Sequence, residues 1–278
     1  MSAPPPPRGP AARCDHRDVT NPLAPLLELA DVSDSLERAR EAADTAMRQP
    51  ALRRSGGRVA AEVGLRSAVA SAALEGHSYE LEEVRAGLVT DPVVQGALRV
   101  SAALDGLTST WLRSPRQALV RLHILAGRGS LPEGALGRPS GAAAGPGTAA
   151  ATAAAAAAMR LGALSDLVTG AGVDATVPTL LRAAVVHAEV LALHAFAGPN
   201  GVVARAAARL TLIAGGLDPR GLLAVDVGHR ARGPEYLGAA GAFAAGTPDG
   251  LRSWFRHFAV AVEVAAAELT DICTATLD

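Results

Sequence analysis

The chain has 278 residues, of which 49% are hydrophobic and 3% aromatic, a formal net charge of -1 and a pI near 6.7. That length supports a large core, and the near-neutral balance argues against broad binding to nucleic acid or to anionic membranes. Cys14 and Cys273 lie near opposite ends and make neither a disulfide framework nor a metal-binding spacing, so a reducing compartment is expected.

Few aromatics and abundant alanine favour closely packed helices over sheets, so the expected class is all-α. Residues 1–21 carry a proline run and scattered charges without an apolar core segment. They read as a disordered tail, neither a secretory signal nor an anchor. Residues 25–47 place Leu, Val and Ala at helical intervals, as one long helix or two short ones before Pro50. Residues 57–74 follow as an amphipathic helix that ends Ser71-Ala72-Ala73-Leu74-Glu75-Gly76, with Gly76 in a capping position. A glutamate there is oddly placed, because the helix dipole disfavours an anion at the C-terminus unless a cation compensates. Glu75 is either a residue that needs a partner or one more solvated acid beside Glu80, Glu82 and Glu83.

Asp91-Pro92 opens a helix to about Trp111, and Pro115 opens the next to about Leu125, with Trp111 and His123 expected in the core or on a helix surface. Residues 127–147 are a Gly/Pro-rich interruption, and the alanine run 149–158 is a helical spacer. No stretch is apolar enough to span a bilayer, and a soluble, cytoplasmic protein is expected. Thr176-Val177-Pro178 starts a helix that delivers His194 to a loop mouth; His187, two turns earlier, lies too far along the rise to share a metal with it. Gly198-Pro199-Asn200-Gly201 then makes a turn, with Asn200 as the expected N-cap of a helix that runs to about Ala214. A helix N-terminus opening from such a turn presents free N–H groups and a positive dipole end, which suits a phosphate, and Arg205 lies about one turn in. The chain has no lysine, and asparagine occurs only at Asn21 and Asn200, which singles out this loop further. Beyond it, Trp254, Phe255 and Phe258 fall on one helical side as a core stripe.

His194, Phe196, Asn200, Gly201 and Arg205 resemble the Fic (Fido) family motif H-P-F-x-x-G-N-G-R-x-x-R, and Ser71, Glu75 and Gly76 resemble its inhibitory-helix motif [S/T]-x-x-x-E-[G/N]. The resemblance implies an all-helical Fic-like domain with a short flap or hairpin before the motif helices. It divides the chain into the tail (1–21), N-terminal helices that include the inhibitory motif (22–115) and the Fic-like domain (116–278). It also implies a protein nucleotidyltransferase that moves AMP from ATP onto a Ser, Thr or Tyr hydroxyl of an unknown protein target. His194 would be the base, Gly198, Asn200, Gly201 and Arg205 the phosphate ligands, and a Glu75–Arg205 salt bridge the brake. The partners implied are a nucleotide and a protein, with neither nucleic acid nor membrane. Four positions depart from the pattern, the mildest being Ala195 in place of the family's proline. Ala197 stands where the family carries the acidic Mg2+ ligand, Val202 where it carries its first arginine, and Pro199 where it carries the glycine before asparagine; no metal ligand is therefore assigned. These losses leave an alternative, a catalytically silent Fic-fold module that binds a nucleotide or a protein.

Overall fold

A computed structural model of the protein describes residues 23–139, 149–170 and 177–277. The helices are α1 (Ala24–Leu27), α2 (Val32–Ala46), α3 (Ala51–Arg54), α4 (Gly56–Leu74), α5 (Leu81–Arg85), α6 (Pro92–Arg113) and α7 (Pro115–Gly127). They continue as α8 (Ala149–Thr169), α9 (Thr179–Leu193), α10 (Asn200–Ala214), α11 (Val225–Ala231), α12 (Gly233–Ala244) and α13 (Pro248–Leu277). No strand occurs among the described residues, so the protein is all-α as its composition indicates. The segment expected to hold one or two helices between 25 and 47 contains two, α1 and α2, separated where Asp31 adopts a left-handed conformation (φ 62°). The disordered tail expected at 1–21 lies outside the described residues. No described helix is long and apolar enough to cross a membrane.

Helix termini follow local chemistry. The Asp91 carboxylate accepts the N–H groups of Val93 (2.8 Å) and Val94 (3.1 Å), and Pro92 opens α6 where its missing N–H is harmless. The α4 helix closes in a Schellman turn. Gly76 takes φ 91°, His77 N–H bonds the Ala72 carbonyl and Gly76 N–H bonds the Ala73 carbonyl, each at 3.0 Å. Glu75 is the C-cap itself, so its side chain leaves from the end of the helix.

Every residue of α10 from Asn200 to Leu212 is buried. It is the central helix, with α4, α6, α7 and α9 packed around it, while α2 lies along α13. Residues on both sides of position 115 contribute to one apolar core. Tryptophans anchor this packing with satisfied polar ends: Trp111 Nε1 donates to Thr211 Oγ1 on α10 (3.2 Å) and Trp254 Nε1 to the Ala184 carbonyl on α9 (2.9 Å). The expected stripe of Trp254, Phe255 and Phe258 is fully buried. Helices rich in alanine approach closely, and at Gly228 a β-carbon would meet the Ala261 backbone of α13.

His187 of α9, His229 of α11 and His257 of α13 share a buried cluster with Tyr236 and Trp254. His187 Nε2 lies 3.0 Å from the Tyr236 hydroxyl, and His229 Nδ1 lies 3.0 Å from His257 Nε2. His187 therefore has the buried hydrogen bond expected of it. Burial pushes the pKa of His187 and His229 well below the usual imidazole value, with the positive charge of Arg205 adding to the effect, and pushes His257 down to about 4.

Two predictions follow from this packing. Gly228→Ala is expected to destabilise the protein by about 1–3 kcal/mol through overpacking. Gly106→Ala, in the exposed middle of α6 with open space at its β-carbon, is expected to stabilise by about 0.5–1 kcal/mol; chemical denaturation of both variants checks the contrast. Because the three histidines stay neutral when folded but protonate near pH 6.5 when unfolded, their stabilisation is present above that pH and is lost as pH falls towards 4. Buried Asp218, raised to about 6, works in the opposite direction over the same window, but it is one group against three. The melting temperature is expected to fall from pH 7 to pH 5, and less steeply for His257→Gln.

Candidate functional site

The site forms where the C-terminus of α4 meets the N-terminus of α10. Serines and arginines alternate in register across the two helices, because Ser67, Ser71 and Glu75 lie at four-residue intervals on α4 and Arg205 and Arg209 at the same interval on α10. Arg205 is 2% exposed. Its Nε donates to Ser71 Oγ and one terminal nitrogen to the Ser71 carbonyl, each at 2.9 Å, and the same terminal nitrogen donates to Glu75 Oε1 at 2.9 Å. The other terminal nitrogen donates to the Tyr236 hydroxyl (3.3 Å), and Nε lies 3.5 Å from Asp226 Oδ1. Burial opposes this charge, but the oxygens of Tyr236, Glu75 and Asp226 outweigh it and raise the pKa of Arg205 further.

The Glu75–Arg205 pair expected from the motif resemblance is therefore formed. Glu75 is not a solvated bystander of Glu80, Glu82 and Glu83. Its carboxylate lies against Gly201, where a β-carbon would collide with Oε1, so it sits at the first turn of α10. The unfavourable position at the end of α4 is offset by the positive end of a second helix and by a guanidinium.

The loop before α10 is arranged differently from its expected pattern. Asn200 does not cap α10 with its side chain; the backbone cap position belongs to Pro199. Instead Asn200 Oδ1 accepts the Phe196 N–H (3.1 Å) and Nδ2 donates to the carbonyls of Phe196 (2.5 Å) and Gly198 (3.2 Å). The side chain satisfies both faces of the tight turn behind it, which leaves the first turn of α10 free for Glu75. Gly198 takes φ 72°, and a β-carbon there would press on the Leu131 side chain at 3.0 Å. Phe196 is buried, as expected of the anchor.

His194 ends α9 in a left-handed conformation (φ 42°, ψ 44°) and is exposed at the mouth. Its Nδ1 makes a long contact, 3.4 Å, with the Ala192 carbonyl. Ser71, Glu75, Gly201 and Arg205 are thus brought into direct contact, Gly198 and Asn200 shape the turn before α10, Gly76 ends α4, and His194 is exposed at the end of α9.

Several residues at the site were not singled out by sequence pattern. His123 was expected in the core, and it is fully buried, but it also joins three segments. Gly137 N–H donates to its Nδ1 (2.9 Å), its Nε2–H therefore donates to the Ala197 carbonyl (2.8 Å), and its ring stacks on Phe196 at 4.6 Å. The interruption after α7 includes a short 3-10 turn (Glu133–Ala135), and an isolated antiparallel bridge joins Pro139 to Phe196. This is the position expected for a flap, and residues 140–147 of that interruption lie outside the described ones. Asp226, Arg209 and Tyr236 also close around Arg205; the four-residue spacing of Arg205 and Arg209 was a visible signal, whereas that of Asp226 was not.

Ala197 offers no carboxylate at the mouth, and among the described residues no group of three His, Cys, Asp or Glu side chains is placed to hold a metal.

No family model matches the chain, and no curated protein matches it. Solved structures do. A Fic family protein from Desulfovibrio desulfuricans G20 superposes with a TM-score of 0.64 at 22% identity, over 85% of this chain and 74% of that one. Two structures of Fic-1 from C. elegans superpose with TM-scores of 0.65. One is a single-substitution form at 20% identity, over 89% of this chain, and the other is at 18%, over 90%; each match covers 74% of the Fic-1 chain. Identities at this level speak to architecture, and the architecture of this chain is the Fic fold.

Proposed function

We propose that the protein is a nucleotidyltransferase that moves AMP from ATP onto a Ser, Thr or Tyr hydroxyl of a protein target and that Glu75 holds it shut. One observation carries the reading: a carboxylate from α4 lies at the first turn of α10 and pairs with Arg205. A helix N-terminus joined to a buried guanidinium is an anion site, and Glu75 fills it in place of a phosphate.

In this reading Glu75 swings away and the terminal phosphates of ATP take its place against Gly201 and Arg205. Asn200 keeps the turn tight, and Gly198 lets the backbone come close. His194 Nε2 accepts the proton of the target hydroxyl as its oxygen bonds the α-phosphorus; the bond from that phosphorus to the bridging oxygen breaks, and pyrophosphate leaves. No step is assigned to a metal ion, because Ala197 supplies no ligand for one. The missing cation at Val202 and the missing N–H at Pro199 weaken the cradle, and a slow enzyme is expected.

A second reading, a silent module that binds a nucleotide without transfer, is favoured by the Ala197 backbone. Its carbonyl is taken by His123 and its side chain carries no charge. Transfer of labelled ATP to the protein itself and to a lysate separates the two. Glu75→Gly is expected to raise labelling at least tenfold over the native chain, and Glu75→Gly/His194→Ala to abolish it. No transfer by folded Glu75→Gly, with ATP still bound, leaves the silent module.

His194→Gly gives a further test. A non-glycine residue at φ 42° is strained, so the substitution is expected to stabilise the protein by about 1 kcal/mol in thermal or chemical unfolding while removing transfer. Loss of stability would assign His194 a structural role instead.

A further inference from the structure

We infer that Asp226 is a positioning residue, which holds the Arg205 guanidinium in its phosphate-facing pose whether or not Glu75 is in place. The inference rests on the reading of Arg205 as a phosphate ligand.

Asp226 is 3% exposed in the first turn of α11, where it faces both α4 and α10. Its Oδ1 lies 3.5 Å from Arg205 Nε, and its Oδ2 accepts the Ser67 hydroxyl at 2.5 Å and lies 3.9 Å from an Arg209 terminal nitrogen. Arg209 in turn donates to Ser67 Oγ (2.7 Å) and to the Gly221 carbonyl (3.1 Å). One carboxylate therefore serves two arginines one turn apart, with Ser67 bridging it to the second.

The contacts of Arg205 divide into two sets. Glu75 approaches from the mouth, and its side chain is 22% exposed. Ser71, Tyr236 and Asp226 approach from behind and are buried. Of the two carboxylates, Asp226 is the one shielded from water, so its attraction for the guanidinium is screened less.

Charge counting gives the same division. Glu75 and Asp226 face Arg205, while Asp226 and the buried Asp218 face Arg209. When Glu75 withdraws, Asp226 is the remaining carboxylate paired with Arg205. The serines and Tyr236 fix the fork, Asp226 keeps it from turning toward solvent, and an arriving phosphate meets a guanidinium already oriented. Without Asp226, Arg205 would keep only the neutral oxygens of Ser71 and Tyr236 once Glu75 has left.

The test compares Glu75→Gly with Glu75→Gly/Asp226→Asn/Arg209→Gln, which removes one further charge of each sign and so keeps the balance behind the site. ATP affinity is measured by calorimetry on the full chain, and exchange of the Arg205 Nε–H with solvent by NMR on arginine-labelled protein. The Nε–H is expected to exchange slowly in the native chain and in Glu75→Gly and rapidly in the triple variant, with ATP bound at least tenfold more weakly by the triple variant. Equal affinity together with a protected Nε–H in the triple variant overturns the inference. If Glu75→Gly binds no ATP, the nucleotide reading fails, and the exchange comparison alone decides whether Asp226 positions Arg205. Should the triple variant not fold, Asp226→Asn with Glu75 retained decides: faster Nε–H exchange with an unchanged far-UV spectrum supports the role, and unchanged exchange removes it.

Discussion

A guanidinium in the middle of a buried helix constrains much of this structure. The α10 helix is enclosed along thirteen consecutive positions, Asn200 to Leu212, yet it carries Arg205 and Arg209. Burying one charge without partners costs several kcal/mol, so the elements that meet these two arginines present oxygen to them. The α4 helix supplies Ser67, Ser71 and Glu75, α11 supplies Asp226, and α12 supplies the Tyr236 hydroxyl. The mutual placement of four helices is therefore tied to one polar seam through an otherwise apolar core.

The seam also accounts for the way the helices end. Glu75 reaches α10 because the Schellman turn at Gly76 stops α4 at that residue, and it fits because Gly201 leaves space where any side chain would strike its carboxylate. A longer α4 would carry Glu75 into a helical turn with its side chain directed back along the axis. The C-terminal dipole of α4 disfavours Glu75, and the N-terminal dipole of α10 favours it. The balance depends on a close approach that the small residues of this chain permit.

The helical class was legible in the scarcity of aromatics and in the periodicity, and the starts of α6 and α7 were marked by Asp91-Pro92 and Pro115. The site was legible in outline because its two motifs are local in sequence. Its wiring was not. Asn200 has the right residue type for an N-cap, but its amide can bond either forward to α10 or backward to Phe196 and Gly198, and only the folded turn decides between them. His123 reads as a core residue and is one, but its role as a clasp between Gly137 and Ala197 depends on segments far apart in sequence. Asp226 gives still less sign of itself: one carboxylate in a short helix says nothing of the arginines that fold against it.

The seam changes the weight of the functional argument. Glu75, Ser71, Asn200 and Arg205 match the motif patterns, but each also has a structural task that would justify it without catalysis. Arg205 needs Glu75 and Ser71 as partners, and Asn200 closes a turn. His194 differs. It is exposed, its one hydrogen-bond contact is long, and it adopts a left-handed conformation in which glycine would be less strained. Stability alone gives no reason for an imidazole at that position. The functional reading therefore rests most heavily on the residue that contributes least to the fold.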